Sequence, residues 1–204
     1  MPQISAAEYG ALSLRVHTLL ADVPLHDVWA MDLPRVRDCV TLDAFHRLLS
    51  QHRLIGRLSP PTRALFGLRF FLGRIFRLED QPKGAGAASY ATGLTAEDRA
   101  RSSVAPGTPD GLFRVVYRFE NELLSEMHNR TVHAALLMAL AETEAGSRFY
   151  LAVYVCKVGW ITPVYMALID PFRRWIVYPA LLKNIRAIWA ESCALKGPEQ
   201  KGRS

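Results

Sequence analysis

The sequence predicts an α+β fold in which a curved antiparallel sheet grips a long C-terminal helix. Three observations carry this. Four strand-like segments follow one another between residues 113 and 158, joined by short polar turns. Such turns permit only antiparallel neighbours. The last two segments, "TVHAALLMALAE" and "RFYLAVYVCKV", are apolar on both faces, as central strands covered on both sides are. After Asp170-Pro171, large apolar residues recur at helical spacing (Phe172, Trp175, Ile176, Leu182, Ile185, Trp189), so the sheet is followed by a long helix able to lie across it.

The elements can be justified in chain order. Ser5 as N-cap, Glu8 three residues on, and Leu12, Val16, Leu19 and Leu20 beyond predict one short helix over 5–21. "HDVWAMDLP" alternates Val28, Ala30 and Asp32 against Trp29, Met31 and Leu33, and ends at a proline, which predicts a strand. "TLDAFHRLLSQH" predicts a helix capped by Thr41, with Phe45, Leu48 and Leu49 as its stripe. "PPTRALFGLRFFLGRIFRLE" carries the strongest helical pattern: Leu65, Leu68, Phe71, Leu72 and Ile75 share one arc, with Arg63, Arg74 and Arg77 opposite. Phe66 and Phe70 lie among those arginines; such an apolar pair on a basic face is more often covered by a second layer, the alternative being a surface for an anionic membrane or a partner. Residues 79–111 turn rich in Gly, Ala, Ser and Pro around a short helix-like "TAEDRAR", which predicts a flexible loop insertion. It is no phosphate loop, because "GAGAASYATG" lacks Gly-Lys-Ser/Thr and no strand leads into it. "LFRVVYRF" alternates Phe113, Val115, Tyr117 and Phe119 against Arg114, Val116 and Arg118. Turns at 120–121, 129–130 and 144–147 then divide the meander. Pro179 should kink the final helix. Together these place a single domain over 1–195 and a disordered tail over 196–204.

Composition bounds the function classes. Of 204 residues, 50% are hydrophobic and 22% charged, which suits a globular chain and excludes an intrinsically disordered one. The net charge of +6 is dispersed with no Lys/Arg run, so nucleic acid is not expected as a partner. A base-stacking sheet would interleave aromatics with cations, whereas Arg114 and Arg118 flank Val116. Cys39, Cys156 and Cys193 are far apart and form no CxxC, which reads as reduced thiols in a cytoplasmic protein. The first residues show no basic cluster followed by an apolar run, so no signal peptide is expected. The apolar stretch from Val158 to Leu182 is interrupted by Asp170, Arg173, Arg174 and three prolines, so no membrane-spanning helix is expected.

The segment "MHNRTVHAALLMALAE" is the one place with the look of chemistry. His128 and His133 have opposite parity within a strand and would lie about 140° apart on a helix. Neither arrangement brings two imidazoles to one metal, although a turn at Asn129-Arg130 would let them approach across a hairpin. No metal or cofactor is expected. Asn129-Arg130-Thr131 matches a glycosylation triplet without a secretory context. His133 remains as a single polar residue on an apolar strand, either a hydrogen-bonded core histidine or a handle in a pocket.

Four segments carry a resemblance to a known family: "HDVWAMDLP", "TRALFGLRFFLGRIFRL", "GLFRVVYRFENELLSEMHNRTVHAAL" and "YMALIDPFRRWIVYPAL". Over residues 25–190 the chain resembles the family called domain of unknown function 2867, and through it the START-like, helix-grip (SRPBCC) superfamily. The matching features are Leu65, Phe66, Leu68 and Arg69, the Glu-Asn-Glu turn, His133, and Pro171, Phe172 and Arg174. Members often carry aspartates around the strand histidine, where this chain has Asn129, Arg130 and Ala135, which weighs against acid–base work there. The resemblance implies a sheet wrapped around a C-terminal helix, with an apolar ligand often held between them.

The functional expectation is therefore binding of a small apolar ligand, lipid-like or polycyclic, in a cavity between sheet and C-terminal helix. Tyr117, Tyr150, Tyr154, Trp160, Phe172 and Trp175 are the candidate walls, with Glu126 and His133 as polar handles. Two alternatives stand beside it. One is an enzyme of cyclase or dehydratase type on an apolar carbonyl compound, with His133 or Glu126 as base and a tyrosine or Arg69 as donor. The other is a peripheral membrane or interaction protein.

Overall fold

The computed structural model describes residues 3–34, 41–51, 88–128, 132–143, 146–157 and 178–195. Their frame is a curved six-stranded antiparallel sheet. In chain order the strands are β1 (Leu25–Pro34), β2 (Pro109–Asp110), β3 (Phe113–Arg118), β4 (Glu122–His128), β5 (Val132–Thr143) and β6 (Gly146–Lys157). They lie in the order β1-β6-β5-β4-β3-β2. Strands β3 to β6 thus form the meander that the turn spacing predicts, β2 adds a short edge strand beside β3, and β1 pairs with β6 from Asp27↔Val153 to Pro34↔Gly146. Asp110 pairs with Phe113, leaving Gly111 and Leu112 as a two-residue turn, and Gly111 takes the positive φ of 62° that such a turn needs.

Both faces of the sheet are buried, each by a different part of the chain. On the first face lie α3 (Leu42–Gln51) and α5 (Tyr178–Leu195). Tyr178, Leu182, Ile185, Ile188 and Trp189 of α5 pack with Phe45 and Leu49 of α3 against Trp29, Met31, Phe149, Leu151 and Val153. Aromatic contacts fill this layer: Phe45 meets Phe149 at 5.1 Å and Trp189 at 5.3 Å, and Trp29 meets Tyr178 at 5.4 Å between ring centroids. On the second face lie the N-terminal helices α1 (Ala6–Gly10) and α2 (Val16–Leu19), a 3-10 turn at Tyr90–Gly93, and α4 (Ala96–Arg101). Tyr9, Val16, Leu20 and Leu94 pack there on Val28, Ala30, Val116, Tyr117, Leu137 and Ala152. The predicted alternation in β1 holds: Trp29, Met31 and Leu33 join one core, Val28 and Ala30 the other.

Three expectations change. The helix over 5–21 is two helices, because Glu122 of β4 accepts the Arg15 and Val16 N–H groups that a continuous helix would have bonded internally. Ser5 does cap α1, accepting from Glu8 N–H at 3.1 Å, but the Glu8 carboxylate pairs with Arg148 at 3.0 Å. The alternation over 113–119 breaks at a bulge between Val115 and Tyr117. Val115 joins the α3/α5 core while Val116, Tyr117 and Phe119 join the other, and Arg118 reaches Asp43 of α3 at 3.0 Å. Within the predicted loop, residues 88–111 hold the 3-10 turn, α4 with a Thr95/Asp98 capping box, and β2. Thr41 caps α3 as expected, accepting from Ala44 N–H at 3.2 Å. Pro179 is the second described residue of α5, and the turn before it, which a kink there would bend against, lies outside the described residues. The predicted helix over 60–79, residues 79–87, the Asp170-Pro171 cap and the tail 196–204 lie outside the described residues.

Candidate functional site

Of the eight candidates named from sequence, Trp160, Phe172 and Trp175 lie outside the described residues. Tyr117, Glu126, His133, Tyr150 and Tyr154 all belong to the second face, turned away from α5. They cannot line a cavity between the sheet and α5. The cause is strand parity: β5 presents His133, Ala135, Leu137 and Ala139 to the N-terminal layer and its even residues to the helices. The five fall into two groups on that face.

The first group is a buried knot around Glu126. Its Oε2 accepts from His133 Nε2 at 2.8 Å and from the Tyr90 N–H at 3.0 Å, and Ser89 Oγ donates to Oε1. The Tyr90 ring lies on His133, centroids 3.8 Å apart and planes 10° from parallel. His133 is 1% exposed and Glu126 8%. Burial alone would push the Glu126 carboxyl up, but the bonds from His133, Ser89 and Tyr90 outweigh it and hold the group below its ordinary range. Burial first, then Cys156 and Glu126, push the Tyr90 phenol up to about 12. His128 pairs directly with His133 across the β4–β5 hairpin, rings 4.8 Å apart, so the hairpin approach that the sequence allowed is the one adopted. Burial and the neighbouring His133 push His128 down. Among the described residues no cluster of three or more His, Cys, Asp or Glu has metal-holding geometry. Glu126 and His133, the acid–base parts named for an enzyme, are spent on one another and on the 3-10 turn.

The second group surrounds Glu122, which is 3% exposed. Its carboxylate accepts from Arg15 N–H at 2.8 Å, Val16 N–H at 2.9 Å and the Tyr117 hydroxyl. Arg15 in turn forks onto Asp98, with Nε and Nη2 2.9–3.0 Å from its oxygens. That bond, working against burial and helped by Thr95, lowers the Asp98 carboxyl to about 2. Tyr154 Oη donates to Tyr9 Oη at 3.1 Å. Burial raises the phenols of Tyr9, Tyr117 and Tyr154, so their hydroxyls stay protonated. Tyr150, 5% exposed, lies under the Arg148 guanidinium at 5.7 Å.

An open depression of about 410 Å³ adjoins this second group. Tyr9, His17, Leu20, Val23, Leu25 and Tyr154 are among its walls. Its concavity comes from the chain leaving α2 and entering β1, which arches over Tyr154, the cross-strand partner of Leu25. His17 meets the Tyr9 ring edge-on at 4.7 Å, and its buried Nε2 has no hydrogen-bond partner. Of these residues the sequence named only Tyr154. Tyr9 and His17 were missed because each sits in a short helix with ordinary amphipathic spacing. Ser89 and Tyr90 were missed because "ASYATG" looked only like loop, and Glu122 because a turn-flanking glutamate reads as solvated. Asp98 did carry a signal, the Thr-x-x-Asp capping pattern.

A family model described as "Protein of unknown function (DUF2867)" matches residues 19–180. No curated protein and no solved structure matches the chain.

Proposed function

Since the chain belongs to the DUF2867 family of proteins of unknown function, and that description carries no activity, we propose from the geometry that it binds a small apolar ligand. The ligand sits on the sheet face away from α5, in the depression bounded by Tyr9, His17 and Tyr154. The carrying observation is the buried His17 Nε2, without a partner, beside two linked tyrosine hydroxyls in the wall of a hollow that Leu20, Val23, Leu25 and Asp22 also line. A buried polar nitrogen left unpaired costs roughly 1–3 kcal/mol, and a ligand group that bonds it recovers that cost. The depression is open, so it would seat one face or end of a lipid-like or polycyclic molecule, with a hydroxyl or carbonyl turned to its polar wall. The layer between the sheet and α5 is a weaker host, being occupied by Phe45, Phe149, Trp29, Tyr178 and Trp189.

The helix-grip ancestry is part of the same reading. It is supported by the order of elements, a meander followed by a helix lying across one face. A single domain over 1–195 and a cytoplasmic location, the latter read from three scattered cysteines, go with it. No helix among the described residues is long and apolar enough to cross a membrane. The experiment is native mass spectrometry of the purified protein, with thermal shift against fatty acids, sterols and polycyclic phenols. Binding that is lost in Val23→Trp, which fills the hollow, supports the proposal. No retained ligand and no shift, or a shift that survives Val23→Trp, overturns it.

A further inference from the structure

The contacts that Ser89 and Tyr90 make are those of a ligand. A flat ring lies on a buried imidazole at 3.8 Å, and two adjacent donors, an O–H and an N–H, meet the two oxygens of one carboxylate. The carboxylate and the imidazole are themselves locked together at 2.8 Å and nearly sealed, so they form a preorganised floor. The turn that covers them lies at the surface. Ala88, Ser89, Thr92 and Gly93 are exposed, and Tyr90 and Ala91 only half-buried, with Leu94 the first buried residue after them. Among the described residues, the turn is tied outside itself, besides the Glu126 bonds and the ring stack, by Tyr90 Oη to the His133 carbonyl at 3.5 Å, by Arg99 Nη2 to the Ala91 carbonyl at 2.6 Å, by Tyr90 and Ala91 packing on the second-face core, and by Gly93 lying close against Leu19. A short turn at the surface, with most of its residues exposed, opens at lower cost than the sheet beneath it.

We propose that the 88–93 turn is an internal occupant of a recognition slot. When the turn swings away about Leu94, the slot takes a flat heteroaromatic ring carrying two adjacent N–H donors, as on a 2-amino-substituted ring with a neighbouring ring N–H. The ring replaces Tyr90 over His133, and the two donors replace Ser89 Oγ and the Tyr90 N–H on Glu126. The carboxylate sets the class: it accepts and does not donate, so a carboxylate-bearing or acceptor-only ring is excluded. Arg114, the cross-strand neighbour of Glu126, is turned to the Gly107 carbonyl at 3.1 Å and does not offset that preference. The slot lies one residue pair from Tyr154, with Ala135 between Glu126 and Tyr154 on the same row of the sheet, and is separate from the hollow at Tyr9 and His17. Because the occupant is tethered, it competes at high effective concentration, and the wild-type chain binds such a ring weakly.

The test uses 2-aminobenzimidazole, with benzimidazole and benzoate as comparison probes, on the full chain by calorimetry. Tyr90→Ala should bind 2-aminobenzimidazole about tenfold more tightly than wild type, and about tenfold more tightly than it binds benzimidazole, which lacks the second donor. Benzoate should not bind, and adding Glu126→Gln to Tyr90→Ala should abolish the gain. Equal affinity of wild type and Tyr90→Ala, no preference for the amino ring, or survival of binding without the carboxylate overturns the proposal. Should the variant fail to fold, hydrogen exchange of wild type decides: millimolar 2-aminobenzimidazole must speed exchange of the 88–93 amides, and unchanged protection there overturns it.

Discussion

Tyr90 lies flat on His133, and both meet the same oxygen of Glu126, Tyr90 through its N–H and His133 through Nε2. One carboxylate therefore holds a strand and a turn together across 43 residues of sequence. Glu126→Ala should cost about 3 kcal/mol, because it leaves buried His133 Nε2, and the half-buried Tyr90 N–H, without their acceptor and frees the Ser89 hydroxyl. Urea unfolding measures this. A cost below about 1 kcal/mol would mean that water replaces the carboxylate freely, and the knot would then add little to the fold.

Glu122 does for the N-terminal layer what Glu126 does for the turn. Its oxygens start α2 by taking the Arg15 and Val16 N–H groups, and Tyr117 bonds the same carboxylate from beneath. Glu122→Gln keeps the shape but turns one acceptor oxygen into a donor facing donors. It should destabilise by about 2–4 kcal/mol and raise amide exchange selectively over residues 9–20. If exchange rises uniformly instead, the N-terminal layer is not held through this residue.

Acid should act through these carboxylates. Asp98, lowered to about 2 mainly by Arg15, and Glu126, held below its ordinary 4.5, both bind protons more weakly in the folded chain than in the unfolded one. The stability they supply is complete above their ordinary values and is lost as pH falls through the 4s toward 2. His128 adds an earlier limb. Burial and His133 lower it from 6.5, so the unfolded chain takes up its proton first and stability begins to fall below about pH 6.5. The urea midpoint followed from pH 7.5 to 3 should therefore decline in two stages. Asp98→Asn should flatten the lower stage, and His128→Phe the upper one. A single stage untouched by either change would place the acid sensitivity elsewhere.

The sequence was legible where each residue answers to its own neighbours. The meander followed from turn spacing, the two-faced burial of β1 from strict alternation, and α3 from Thr41 and a clear stripe. It was not legible where a distant group decides. Nothing near Arg15 announces that Glu122, more than a hundred residues on, will cut the N-terminal helix in two. The bulge after Val115 moves Tyr117 to the side opposite Val115 without a proline or glycine to mark it. The candidate site shows the same division. Glu126 and His133 could be named as a polar pair in an apolar sheet, but assigning them to the α5 side needed a register and a parity that one strand alone does not set. Ser89 and Tyr90, which complete their environment, lie in a segment whose composition says only that it is irregular.

The aromatic layer under α5 offers the sharpest test of how the two faces differ. Phe45 is fully buried and touches Phe149 and Trp189 edge-on, so three elements, α3, β6 and α5, meet at one ring. Phe45→Ala and Trp189→Ala should each cost about 3–5 kcal/mol, since the surrounding side chains come from separate elements that cannot all collapse into the gap. Because the rings touch, the double variant should cost less than the sum by about 0.5–1.5 kcal/mol. Chemical denaturation of the four proteins closes the cycle. Strict additivity would mean that α3 and α5 grip the sheet independently. Coupling of the expected sign would mean that they act as one lid on that face, with the other face carrying the depression and the polar knots.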